Sequence, residues 1–200
     1  MPPRRPDSPL KPSLRDAVQA VARALSALPV PGMIIGGIAV ITRGVPRLTR
    51  DVDVTIAGGT IALADLIDRL REHRLVPRIE DAAEFAGTHQ VLLLRHEPSR
   101  VDVDLSIAWL PFELDALAAA QTLDVAGVHV SVARAEDLIV YKAVAFRPQD
   151  QQDIERLLAL HGQIVDLPRI RRLVAEFASA LDEPRRLDEL EQMIRRAGLA

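Results

Sequence analysis

The chain has 200 residues, of which 48% are hydrophobic, and its 25 basic and 28 acidic side chains give a net charge of −3 at pH 7. This composition is typical of one globular domain with room for a modest helical appendage, and it provides no overall attraction to nucleic acid. The absence of cysteine excludes disulfides and zinc–thiolate sites, and the lack of an apolar run near the roughly 18–20 residues that span a bilayer predicts a soluble cytoplasmic protein without a membrane segment.

The N-terminal part of the chain predicts a tail, a helix and a glycine turn. Proline and arginine dominate the start, so residues 1–12 are expected to form a disordered tail. Apolar residues at helical spacing predict a helix near 13–28, which two prolines end. A short apolar stretch then runs into Gly36-Gly37 and a small helix at 38–42.

The middle of the chain alternates strands and helices, and the end is helical throughout. From residue 135 onward every segment has a helical pattern. This order predicts an α+β fold, in which a core at 13–133 carries a mixed sheet with flanking helices and a helical region at 134–200 packs on it. The middle elements are a strand at 51–56, a helix at 60–73, paired strands at 91–94 and 101–108, a helix at 112–120 and a hairpin at 123–132.

Two of the predicted strands carry paired aspartates. Side chains alternate between the faces of a strand, so Asp51 and Asp53 share one face, and in RVDVDLSIAW the same holds for Asp102 and Asp104. Adjacent strands would concentrate negative charge that a cation must offset. Mg²⁺ prefers one or two carboxylates and takes further oxygens from a substrate's phosphates. The pattern predicts a metal site, with a plain strand that has one solvent-facing side as the alternative.

The Gly36-Gly37 pair supports the first interpretation. Between an apolar strand and a helix, two glycines let backbone N–H groups approach an anion. Many turns contain a glycine pair, so the pair alone is weak evidence. A glycine turn, the spacer 38–50, D-x-D on a strand and a later strand carboxylate form a far more specific series.

This series resembles the nucleotidyltransferase superfamily of DNA polymerase β type, whose signature is hG[GS], a spacer, [DE]h[DE]h and a third acidic residue on a later strand. The resemblance covers about residues 33–155. RLTRDVDV, VDLSIAWLPFE and EDLIVYKAVAFRPQDQQDIERLL are similar to segments of the small prokaryotic AbiEii-type toxins. The resemblance implies a nucleotidyltransferase-like mixed sheet followed by a helical C-terminal part.

The resemblance also implies roles for individual residues. Gly36 and Gly37 would hold the phosphates of an NTP. Asp51 and Asp53 would bind two Mg²⁺ ions, or Mn²⁺, and Asp104 would complete the metal cluster.

The third carboxylate has two candidates. Asp104 is preferred over Asp102 because it lies at the family's distance from the Pro-Phe pair that follows it. Asp102 shares its face and stays in reserve.

The helical segment adds Lys142 and Asp153, with Asp150 beside them. By resemblance Lys142 contacts the triphosphate and Asp153 is a motif residue. The structural alternatives are a Lys142 that extends to solvent and an Asp153 that pairs with Arg156 one helical turn later.

The spacer loop contributes Arg47 and Thr49. Both lie in the loop that leads to Asp51, and we expect them to bind phosphate or acceptor. The alternative is that they only keep this loop solvated.

The implied reaction is metal-dependent transfer of a nucleoside monophosphate to a hydroxyl of tRNA, another RNA, a protein or a small molecule. The implied context is the toxin of a toxin–antitoxin pair, with a cognate antitoxin as partner and no recognition of DNA sequence. One alternative is a non-catalytic antitoxin or nucleotide-binding module of the same fold. Another is a haloacid dehalogenase-type phosphatase, since DVDVT matches D-x-D-x-T, but no apolar strand precedes Asp51 as that motif requires.

Overall fold

The computed structural model describes residues 10–59 and 61–199, and most of the predicted tail, residues 1–9, lies outside this part. Its strands are β1 (Gly32–Ile34), β2 (Asp51–Ala57), β3 (Leu75–Pro77), β4 (Val91–His96), β5 (Val101–Ala108), β6 (Gln121–Val125) and β7 (Val128–Val132). Its helices are α1 (Pro12–Ala27), α2 (Gly36–Thr42), α3 (Leu63–Glu72), α4 (Ala82–His89), α5 (Pro111–Ala118), α6 (Ala135–Ala145), α7 (Pro148–His161), α8 (Leu167–Ala180) and α9 (Arg185–Arg196).

The described strands form one mixed sheet in the order β3-β4-β5-β2-β1-β7-β6. β2 runs parallel to β5 and β1 runs parallel to β7, whereas the other neighbours are antiparallel. In the β2–β5 pair, Asp51 lies opposite Asp102 and Asp53 lies opposite Asp104. The predicted adjacency of the two aspartate-bearing strands is therefore confirmed.

Burial on one face of the sheet fixes which face carries the aspartates. Val52, Val54 and Ile56 are at most 1% exposed and face the core, which α1 helps to cover. Hydrophobic burial of such side chains stabilises the fold by about 1.5–3 kcal/mol each. Because side chains alternate, Asp51 and Asp53 are held on the opposite, half-buried face.

The C-terminal helices pack onto the core through α6, which contacts α2, α7, α8 and α9. This packing brings the start of α7 next to the glycine turn that begins α2. The predicted α+β fold, with flanking helices and a helical C-terminal part, is confirmed. No helix within residues 10–59 and 61–199 is long and apolar enough to cross a membrane.

The sequence prediction missed β3 and α4. β3 has only three residues and ends in a proline, so it carries almost no alternating pattern. α4 follows Asp81, which has a left-handed backbone conformation (φ 52°) instead of a usual helix-start geometry, and among its side chains only Ala82 and Ala86 are buried. The helix expected to start at residue 60 begins at Leu63.

Candidate active site

The glycine turn and the second aspartate of β2 fit together closely. The backbone N–H of Ile35 donates to the carbonyl of Asp53 at 2.9 Å, which ties the turn to β2. Gly36 has φ +59°, and a β-carbon there would overlap the Asp53 carboxylate. The N–H of Gly37 donates to Oδ2 of Asp53 at 3.4 Å. Both the backbone conformation and the available space therefore require glycine at residue 36.

The end of the spacer loop orients the first aspartate. Thr49 donates from Oγ1 to Oδ1 of Asp51 at 2.7 Å. A β-carbon on Gly37 would lie 2.5 Å from Thr49 Oγ1 and 3.3 Å from the guanidinium carbon of Arg47. The loop thus closes over the glycine turn and brings the predicted residues Arg47 and Thr49 to it.

Asp53 lies in a strongly anionic environment. Burial raises its pKa, the Asp51 carboxylate and, to a smaller extent, Asp104 raise it further, and the hydrogen bond from Gly37 opposes them. A divalent cation would relieve this repulsion, and carboxylate oxygens are the donors that Mg²⁺ prefers. In the described part of the chain, no group of three or more acidic or histidine side chains could hold a metal ion alone. The two aspartates fit an ion that takes its other oxygens from a nucleotide and water.

The aspartates of β5 are paired with arginines. Arg78 Nη2 lies 2.5 Å from Asp104 Oδ1, and its Nη1 lies 3.9 Å from Asp102 Oδ2. Arg95 Nε lies 2.7 Å from Asp102 Oδ1. The hydrogen bond from Arg95 lowers the pKa of Asp102. Asp104 thus faces the same side of the sheet as Asp53 but already has a counter-ion.

Lys142 is at the centre of a buried group of charges. Its Nζ lies 3.0 Å from Asp150 Oδ1 and 2.8 Å from Asp153 Oδ2, and Arg47 Nη1 lies 2.5 Å from the same Asp153 oxygen. The lysine side chain is 7% exposed. The alternative in which Lys142 extends to solvent is therefore wrong. The alternative pairing of Asp153 with Arg156 is also wrong, because Arg156 instead donates to a backbone carbonyl of the spacer loop.

Arg147 is a site residue that the sequence prediction missed. It directly precedes Pro148, the first residue of α7, and its side chain is 75% exposed. Its Nε donates to Asp150 Oδ2 at 2.7 Å, and this bond raises the pKa of Arg147. The available signal was a basic residue at the start of a helix, between Lys142 and Asp150 in the same motif segment.

A cleft of about 370 Å³ opens between the glycine turn, β2 and the start of α7. Thr49 and Asp153 contact residues of this cleft, and Asp104 lies across from Asp53. Cations and backbone N–H groups on one side and carboxylates on the other could together hold a polyphosphate and a divalent ion. Residues lining the cleft are Gly36, Gly37, Arg47, Asp51, Asp53, Lys142, Arg147, Pro148, Gln149 and Asp150.

Comparison with known proteins gives one family and several similar structures. A family model described as nucleotidyltransferase of unknown function (DUF6036) matches residues 17–197. No curated protein sequence matches the chain.

The solution structure of the antibiotic-resistance factor ANT(2″)-Ia is 19% identical (TM-score 0.58) and covers 86% of this chain and 95% of that chain. The crystal structure of ANT(2″)-Ia with adenylyl-2″-tobramycin is 18% identical (TM-score 0.53), and the match covers 84% of this chain and 99% of that chain. The crystal structure of an antigenic nucleotidyltransferase-like protein from Paracoccidioides brasiliensis is 19% identical (TM-score 0.53), and the match covers 91% of this chain and 94% of that chain. At these identities the similarity concerns the fold, and the expected nucleotidyltransferase-like fold is confirmed.

Proposed function

Because the chain belongs to the nucleotidyltransferase family DUF6036, we propose that it moves a nucleoside monophosphate from an NTP to a hydroxyl group of an acceptor. The observation that carries this proposal is the close fit of Asp53 to the Gly36-Gly37 turn, with Asp51 beside it on the same face of β2. A polyphosphate binding surface and two carboxylates for a divalent ion then meet at one place.

Asp51 and Asp53 would hold Mg²⁺, or Mn²⁺, and Asp104 would complete the cluster when two ions bind. When bound, the ions neutralise the triphosphate and stabilise the attacking and leaving oxygens. Thr49 donates to Asp51, so its part is to keep that carboxylate turned toward the cleft.

The phosphates would lie against the Gly36-Gly37 turn, whose Gly37 N–H also donates to Asp53 at 3.4 Å, and against the guanidinium groups of Arg47 and Arg147. Charge-assisted hydrogen bonds of this kind are about twice as strong as neutral ones. The ammonium of Lys142 is shared between Asp150 and Asp153. We therefore propose that Lys142 and Asp153 position Arg47 and the start of α7, while Arg147 makes the exposed contact to phosphate.

The chemical step is an in-line displacement at the α-phosphorus. The acceptor hydroxyl oxygen forms a bond to phosphorus, the bond from phosphorus to the bridging oxygen breaks, and pyrophosphate leaves with the electron pair. The hydroxyl proton passes to the Asp104 carboxylate, which faces the same side as Asp51 and Asp53.

The acceptor and the biological context are parts of the same proposal. The resemblance of three segments to AbiEii-type toxins favours an RNA or protein acceptor and a toxin that is neutralised by a cognate antitoxin. A structural neighbour was solved with adenylyl-2″-tobramycin, so a small-molecule hydroxyl is the alternative acceptor. Because NTPs and Mg²⁺ are abundant in the cytoplasm, we propose that the protein acts there.

Pyrophosphate release tests the reaction class. The protein is mixed with each of the four NTPs and Mg²⁺, with and without a cell lysate freed of small molecules. We expect pyrophosphate only when an NTP and an acceptor are both present, and no hydrolysis of a simple phosphate monoester. NTP binding without release would indicate a non-catalytic module. Monoester hydrolysis that is lost in Asp51→Asn would instead indicate a dehalogenase-type phosphatase.

A further inference from the structure

The arginine that directly follows β3 is shared between the two aspartates of β5. Arg78 contacts Asp104 with one terminal nitrogen, at 2.5 Å, and reaches toward Asp102 with the other, at 3.9 Å. Asp102 and Asp104 are two residues apart on a strand and therefore face the same way. A small rotation of the guanidinium could exchange one carboxylate for the other.

The surroundings of Arg78 allow this exchange. Its backbone N–H donates to the carbonyl of Leu93 at 3.0 Å, which fixes the main chain at the end of β3. Its side chain is 29% exposed and lies on the open face of the sheet. Asp102 is kept in place by Arg95, at 2.7 Å. The backbone is thus anchored, and the receiving carboxylate is already oriented.

We propose that Arg78 is the internal counter-ion of Asp104. Arg78 pairs with Asp104 until a divalent cation binds there, and its guanidinium group then moves to Asp102. The inference rests on the proposed function, in which Asp104 joins Asp51 and Asp53 around metal. Arg78 would act as a positioning residue, since it controls when the third carboxylate is available and does not touch the reacting atoms. Asp102 would then serve as the resting place of Arg78 and not as a metal ligand.

This exchange makes metal binding compete with an ion pair inside the protein. A partly exposed ion pair of this kind contributes little energy, so its loss is expected to change the affinity for the divalent cation by about two- to fivefold. Removing Arg78 should therefore strengthen metal binding, whereas an arginine that only supported the site would weaken metal binding when removed.

The test measures the affinity for Mn²⁺ alone, by the electron paramagnetic resonance signal of free Mn²⁺, for wild type and Arg78→Met. We expect Arg78→Met to bind Mn²⁺ about two- to fivefold more tightly. Arg74→Met is the matched control: it removes the same charge from the residue just before β3, where Arg74 pairs with Glu97 and not with the aspartates of β5. Its Mn²⁺ affinity should equal that of wild type.

A double variant distinguishes two effects of removing Arg78, which are the loss of its ion pair with Asp104 and the loss of general repulsion between Arg78 and the metal. In an Asp104→Asn background, Arg78→Met should leave Mn²⁺ affinity unchanged, because the competing pair no longer exists. An equal gain in both backgrounds, or unchanged or weaker binding in Arg78→Met, would overturn the counter-ion role and leave nucleotidyl transfer standing. Failure of every variant and of wild type to bind Mn²⁺ would overturn the counter-ion role, and nucleotidyl transfer would still be tested separately by pyrophosphate release with NTP present.

Discussion

The Nζ of Lys142 lies 2.8 Å from Oδ2 of Asp153, and the two side chains are only 7% and 1% exposed. The same carboxylate oxygen contacts Arg47, which is 106 residues earlier in the chain. One buried aspartate therefore joins the spacer loop, α6 and α7. The cationic side of the candidate site depends on how the C-terminal helices pack.

We first predict that Lys142→Met will destabilise the fold by about 3–5 kcal/mol, because it leaves the buried carboxylates of Asp150 and Asp153 without their shared cation. The free energy of unfolding from urea denaturation measures this loss. Arg147→Gln serves as its counterpart, since Arg147 is mostly exposed. Because its pair with Asp150 is exposed on the arginine side, it should cost at most about 1 kcal/mol, well below the loss in Lys142→Met.

For Arg147→Gln the expected loss is in nucleotide binding. A charge-assisted hydrogen bond to phosphate is worth about 1.5–3 kcal/mol, which corresponds to roughly ten- to 150-fold in the NTP dissociation constant measured by calorimetry. If Lys142→Met instead kept full stability and lost NTP affinity, Lys142 would be the direct triphosphate contact and the positioning role would be refuted.

The second prediction concerns the repulsion at Asp53. Burial and the Asp51 charge raise the pKa of this carboxyl group, so at pH 7 the ionised form costs stability. Asp53→Asn keeps the size of the side chain and an oxygen that can accept from Gly37. The melting temperature without metal should equal or exceed that of wild type. A clear decrease, seen also in Asp51→Asn, would identify the aspartates as structural residues.

The third prediction uses the glycine turn. Gly36→Ala introduces a β-carbon at φ +59°, and this carbon would overlap Asp53. Gly198→Ala introduces a β-carbon at φ +70°, where no other atom lies within 4 Å. Both variants bear the left-handed strain of about 1–2 kcal/mol. Gly36→Ala should lose about 1–3 kcal/mol more of the free energy of unfolding, because of overpacking. Equal losses in urea denaturation would mean that Asp53 is free to move away from the turn.

The fourth prediction is a dependence of stability on pH. Burial alone would raise the pKa of Asp150, but hydrogen bonds from Arg147 and Lys142 outweigh it and hold the pKa below the ordinary value of 3.8. A depressed carboxyl pKa stabilises the fold above the unfolded pKa, and this contribution is lost as the pH falls through the folded pKa. Asp150→Asn should therefore cost about 1.5–3 kcal/mol between pH 5 and 8, and the difference from wild type should shrink below about pH 4.

Urea denaturation of both proteins at several pH values measures this difference. A difference that stayed constant down to pH 3, or that grew on acidification, would contradict the ion pairing of Asp150.

The fold was largely predictable because binary patterns determine it. The alternation of aspartate and apolar residues in β2 and β5 identified both strands and their buried faces, and the structure places them side by side. β3 and α4 were not predictable in the same way. Their positions depend on pairing with β4 and on a left-handed residue at Asp81, which leave no periodic signal in the sequence.

The contacts within the site were predictable only where the residues are close in the chain. Gly36, Asp53 and Thr49 belong to one continuous segment, and their contacts follow from its turn and strand. The pairing of Asp153 with Arg47, and of Asp104 with Arg78, joins residues from separate elements. Helical spacing suggested a local partner for Asp153, whereas tertiary packing provides a distant one.

The measurement that tests nucleotidyl transfer most directly is labelling with α-³²P NTPs. Wild type and Asp53→Asn are incubated with each NTP, Mg²⁺ and a lysate freed of small molecules, and the RNA, protein and small-molecule fractions are counted. We predict that wild type labels one fraction with at least one NTP, and that Asp53→Asn, folded and as heat-stable as wild type, labels none. Absence of label with all four NTPs, or equal labelling by Asp53→Asn, would contradict the assignment of Asp51 and Asp53 as the catalytic metal-binding pair.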